Sequence, residues 1–152
     1  MVMAINYRER IIALWTVFLL GILFHTQLGL MPLFHGLSVI ESQKSTNIND
    51  ISGIMWLMLG FFVLPMLAII LTIFTDSKRY RILHFGLTVF YSIMNLLHVI
   101  LDLFVQPVFW YQIALIGLLF FVGLLLNNTA FKWMQMPNRS NKSQRELENS
   151  HL

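Results

Sequence analysis

No cysteine occurs among the 152 residues, which excludes disulfides, thiolate metal sites and thiol redox chemistry. The redox compartment stays open, because oxidising and reducing spaces both hold cysteine-free proteins. Charge is scarce too. Charged side chains make up 11% of the chain, against about a quarter in soluble domains, hydrophobic ones make up 57%, and the mean hydropathy is +0.72. Such a composition predicts an integral membrane protein whose first partner is the lipid bilayer. Also missing are a Ser/His/Asp arrangement, a Gly-rich nucleotide loop and a carboxylate pair placed for acid–base work, which argues against hydrolases and kinases and leans against an enzyme. The net charge of +3 reports topology before it reports partners, and no nucleic-acid footprint is implied.

What is present is four apolar segments, at about 11–34, 51–75, 82–104 and 108–126. Each meets or approaches the roughly 20 residues that cross about 30 Å of hydrocarbon as a helix. They predict an all-α, four-helix membrane bundle as one domain over 1–136, with a polar tail over 137–152 expected to be disordered. The first segment follows Arg8 and Arg10 but has no A-x-A-like cleavage site, so it reads as an uncleaved helix. No internal repeat relates the segments.

The long connection over 36–50 reads as a solvated cap, with Asn49 or Asp50 available to cap the second helix. Val105, Gln106 and Pro107 alone separate the third and fourth segments, which predicts an antiparallel hairpin. Pro65 should kink the second helix and free the carbonyl of Phe61. Gly53, Gly60, Gly117 and Gly123 are expected at close helix approaches.

Basic residues set the expected orientation. With both termini cytoplasmic, that side receives Arg8, Arg10, Lys78, Arg79, Arg81, Lys132, Arg139, Lys142 and Arg145, and only Lys44 lies outside. Tyr7, Trp15, Tyr80 and Trp133 then fall near one interface, and Trp56, Trp110 and Tyr111 near the other. The Asn-x-Ser/Thr matches at Asn127, Asn138 and Asn141 would face the cytoplasm, where they are not glycosylated.

The third segment carries the functional signal. At about 100° per residue, His84, Thr88, Tyr91, Ser92, Asn95, His98 and Asp102 fall within an arc of roughly 120°. Polar groups on one side of a membrane helix are costly against lipid, so this stripe should face protein or water. Its inner part, His84, Thr88, Ser92 and Asn95, reads as a polar interface, with Thr26, Gln27 and His25 of the first helix as candidate partners. In the expected orientation His98 and Asp102 share the outer leaflet with His25, which lies roughly 15 Å below His35 by helical rise. Glu41 can join them from the outer loop.

Three chemistries suit this set. The first is a transition-metal ion (zinc, iron or copper) held by His25, His35, His98 and Asp102, with the i, i+4 pair His98 and Asp102 aimed from one helix face. Met31, Met55 and Met58 are near enough to suggest copper(I), although methionine ordinarily just fills helix interfaces. The second is a single b-type haem between His25 and His98, with Gly21 and Gly29 leaving room for a macrocycle or a close helix. His84 and His98 also have a spacing that resembles paired haem ligands in two-haem membrane b cytochromes. That resemblance covers two residues, and His25 and His35 do not supply the matching second pair. The third is proton or ion translocation along the whole stripe. Beside these stands a cofactor-free accessory or assembly subunit that binds other membrane subunits or copies of itself. Small size, short loops and the lack of a catalytic signature favour the accessory reading, and the clustered histidines favour the cofactor.

Overall fold

A computed structural model describes residues 6–38, 47–104 and 108–137. The chain is all-α. Four long helices, α1 (Tyr7–Phe34), α2 (Ser52–Phe74), α3 (Lys78–Phe104) and α4 (Trp110–Gln135), follow one another along the chain, with one 3₁₀ turn at Ile48–Asp50 before α2. All four are long and apolar enough to cross a bilayer, which is the architecture of a small multi-pass membrane protein. Within hydrocarbon a helix satisfies every backbone group internally, and that is why apolar runs of this length adopt it.

The ends follow from local chemistry. Asn6 caps α1, its side chain accepting from the Glu9 amide. Gly36, at φ +75°, ends α1 by taking the left-handed conformation, and the Leu37 amide then reaches the Pro32 carbonyl at 3.0 Å. Neither Asn49 nor Asp50 caps α2, because the 3₁₀ turn intervenes and leaves Ile51 at the cap without a side-chain bond. The fourth helix continues past Leu126 to Gln135, since Phe131 and Trp133 resume its apolar pattern after the Asn127–Asn128–Thr129 interruption. Asn127 is therefore a helical residue rather than a loop glycosylation site. Asn138, Asn141, Lys44, Glu41, 105–107 and the tail beyond Pro137 lie outside the described residues.

The fourth helix is the spine. It packs along both α3 and α1, whereas α2 leans mainly on α1. Contacts between the start of α3 and the end of α4 make those two antiparallel, as the short connection requires. Between them Trp15, Phe18, Tyr91, Leu119, Leu126 and Trp133 form the core. The facing surfaces of α1 and α3 are bridged by large side chains, Trp15 against Tyr91 and His25 against His98.

Two arginines close the end of the bundle where α1 begins. Arg8 donates to the Thr72 carbonyl at 2.9 Å and also to that of Ile73, covering the last turn of α2. Buried Arg81 donates to the Met136 carbonyl at 2.9 Å beyond the end of α4, pairs with Asp76 at 2.8 Å and lies 5.6 Å from the Trp133 ring centre. Cations suit helix C-termini, where the last carbonyls lack partners and the helix dipole is negative.

The glycines divide. A Cβ on Gly123 would sit 2.9 Å from Ser92 Oγ, so α3 and α4 approach closely there. A Cβ on Gly21 would collide with Leu119. Gly53, Gly60 and Gly117 face open space and mark no helix approach among the described residues, contrary to the sequence expectation.

Candidate functional site

The polar stripe of α3 is buried from Arg81 to Asn95 and opens toward Asp102. Its two halves do different things.

The half near Arg81 is packing. His84 sits in an aromatic box made by Trp15 of α1, Tyr80 of its own helix and Trp133 of α4. The Trp15 indole N–H donates to His84 Nε2 at 3.2 Å; an indole can only donate, so the imidazole proton resides on Nδ1, which faces the Tyr80 hydroxyl at 3.2 Å. The Tyr80 hydroxyl in turn donates to the Ala68 carbonyl at 2.8 Å, where Thr72 also bonds. Both ring nitrogens of His84 are thus engaged, and it offers no ligand atom for a haem paired with His98. Trp15 and Trp133 are fully buried around it rather than facing lipid as an interfacial belt, while Trp56, Trp110 and Tyr111 at the other end are exposed.

Further along, Thr88 donates to the Phe85 carbonyl at 2.8 Å, and Ser92 accepts from the Asn127 side chain at 2.9 Å. The partner of the stripe here is α4 rather than Thr26 or Gln27. Asn95 is 8% exposed, and its Nδ2 has no hydrogen-bond partner among the described residues. No continuous hydrogen-bonded chain links His84 to Asp102 among the described residues, because Thr88 and Ser92 turn to carbonyl and amide partners outside the stripe.

The half near Asp102 gathers ligand atoms. His25 of α1 and His98 and Asp102 of α3 each present one atom, all within 4.8 Å of one another. Asp102 Oδ2 lies 3.6 Å from His98 Nε2 and 4.0 Å from His25 Nε2. The two imidazole rings stand at 81° with centres 5.4 Å apart. Asp102 Oδ2 and His25 Nδ1 are buried and lack hydrogen-bond partners among the described residues. These separations are longer than hydrogen bonds, and two ligands on one tetrahedral ion with bonds near 2.1 Å stand about 3.4 Å apart. Seating one ion against all three therefore needs a small contraction of the His98–Asp102 pair from 3.6 Å and a larger one, up to about 1 Å or somewhat more, of the pairs that stand 4.0 to 4.8 Å apart; His98, whose side chain is 53% exposed, has room to move.

His35 does not join them: it is exposed at the end of α1, outside the group. Met31 and Met55 are likewise exposed on their helices. The residue that sequence reasoning missed is Asn127, placed beyond the expected end of the fourth helix although it supplies the partner for Ser92. A helical reading carried through Phe131 and Trp133 would have put it on the face of α4 that meets the stripe.

This chain matches no protein-family model, no curated protein and no solved structure.

Proposed function

We propose that this multi-pass membrane protein binds a single transition-metal ion through His25, His98 and Asp102. The observation that carries the reading is the convergence of three ligand atoms, from two helices, within 4.8 Å. Two imidazoles and one carboxylate suit zinc, or non-haem iron with open coordination positions, better than magnesium or calcium. An ion there would offset the burial of Asp102 Oδ2, which is costly without a partner.

A single ion is favoured over a b-type haem. The two imidazole rings stand edge to face with centres 5.4 Å apart and Asp102 Oδ2 lies within 4.0 Å of both, an arrangement without a gap for a macrocycle between them, and Leu119 already fills the approach to Gly21. The chemistry of the site is metal handling or electron transfer according to the ion bound.

The proposed orientation puts both termini in the cytoplasm and the metal group in the outer leaflet. Its support is that Arg8, Arg10, Lys78, Arg79, Arg81 and Lys132, every described lysine and arginine, lie at or near the end of the bundle where α1 begins.

Elemental analysis and an absorption spectrum of gently extracted protein test the reading. The expected result is about one zinc, iron or copper per chain with no Soret band, lost in His98→Ala and retained in His35→Ala. A metal-free protein would leave the His25–Asp102–His98 cluster as a polar clasp between helices, and an accessory subunit recovered with its partners would be the reading in its place.

A further inference from the structure

The first helix has two faces. Trp15, Phe18 and His25 turn one of them into the bundle, while along the opposite one Thr16, Leu20, Leu23, Gln27, Leu30 and Phe34 are all exposed. Their spacing alternates four and three residues, the a and d positions of a seam along which a helix packs on a second helix at a shallow crossing angle.

Lipid accounts for five of these six residues. The leucines and Phe34 suit hydrocarbon, and the Thr16 hydroxyl donates to the Ile12 carbonyl of its own helix at 2.9 Å. Gln27 is the exception. Its side chain is exposed, its carboxamide makes no hydrogen bond among the described residues, and it stands in a run from Ile11 to Phe34 that holds no Asp, Glu, Lys or Arg. Phe34 ends the helix roughly 10 Å further on by helical rise, and a helical side chain leans back toward the N-terminus, so the amide is aimed into the bilayer and away from that end. An unpaired amide is costly in hydrocarbon, where no water can bond it.

Two properties of this amide select its partner. It carries two donors and an acceptor, so it pairs with a second copy of itself, N–H to C=O in both directions. Two chains inserted the same way also hold their Gln27 residues at one depth about a twofold axis along the membrane normal, the symmetry in which a residue meets its own twin. Asn128, the exposed carboxamide of α4, differs, because exposed Lys132 lies one turn beyond it and brings water with its ammonium group.

We propose that a second copy of this chain packs on the exposed face of α1, forming a parallel dimer in which the two Gln27 carboxamides hydrogen-bond each other and Leu20, Leu23 and Leu30 interdigitate around them. Gln27 and His25 are about 200° apart around the helix, so the interface lies on the side of α1 away from the metal group and does not depend on it.

The test uses the full chain in phosphatidylcholine vesicles, with energy transfer between copies labelled at the C-terminus followed as the protein is diluted into lipid. The dissociation constant of the dimer should rise about tenfold in Gln27→Leu and stay unchanged in Asn128→Leu. With Gln27 in place, oxidation should cross-link Leu30→Cys, on the seam, and not Leu57→Cys, exposed on α2 at a similar depth; the native chain has no cysteine to interfere. Energy transfer that ignores Gln27→Leu, cross-linking of Leu57→Cys equal to that of Leu30→Cys, or a chain that stays monomeric when concentrated in lipid overturns the proposal. Loss of transfer in Asn128→Leu moves the interface to α4 and overturns it as well.

Discussion

Pro65 withdraws a backbone donor from the middle of α2, and the repair comes from a different helix. The carbonyl of Phe61, four residues earlier, accepts from the Tyr91 hydroxyl of α3 at 2.6 Å. One side chain of the polar stripe is thereby committed to a structural task, and its ring also packs on Trp15 and Phe61. Tyr91→Phe should lower stability by about 1 kcal/mol, in the range of hydrogen bonds between membrane helices. In a Pro65→Ala background, the substituted residue supplies its own amide to the Phe61 carbonyl, so Tyr91→Phe should then cost much less. A thermal or denaturant unfolding cycle over the four proteins measures this, and additive losses would show that the hydroxyl and the proline are unrelated. The freed carbonyl was legible in the sequence, since a proline inside a helix always leaves one. Its partner was not, because only the fold decides which hydroxyl arrives there.

Between elements, α4 is the reference against which α1 and α3 are placed, and glycine sets the distance where Ser92 of α3 meets it. Gly123 lets α3 bring Ser92 against the α4 backbone, where Asn127 donates to the Ser92 hydroxyl one turn away. Gly123→Ala should therefore destabilise the protein by about 1 to 3 kcal/mol through overpacking. Gly117→Ala, with nothing within 4 Å of the added methyl, should be neutral or slightly stabilising by helix propensity. Unfolding midpoints of the two variants give the comparison, and equal losses would contradict it. The apolar runs made the four helices readable, because length and hydropathy fix spanning segments with little help from packing. Glycine roles were not readable from composition, since Gly117 and Gly123 differ only in what faces them. Nor was the end of α4, where Asn127, Asn128 and Thr129 resemble a helix end until the buried side of Phe131 and Trp133 is known.

At the scale of the molecule, the stripe of α3 connects two ends built for different purposes. One end is held by arginines on helix C-termini and an aromatic box around His84, and the other gathers His25, His98 and Asp102. The lack of native cysteine makes orientation easy to measure. A cysteine placed at Arg79 should be shielded from a membrane-impermeant maleimide in intact cells and one at Leu37 labelled, and the reverse pattern would contradict the proposed orientation. For the site, sequence reasoning reached His25, His98 and Asp102 because helical spacing fixes which residues share a face. It could not exclude His35, whose position depends on where α1 stops. It assigned His84 to a polar interface without identifying its neighbours, because the box around it is assembled from three helices. The measurement that bears most directly on the metal reading is X-ray absorption fine structure of the zinc-loaded full chain. Two imidazole nitrogens and a carboxylate oxygen at about 2.0 to 2.2 Å are predicted, with one imidazole lost in His98→Ala. A first shell without imidazole, or one unchanged by that substitution, would contradict it.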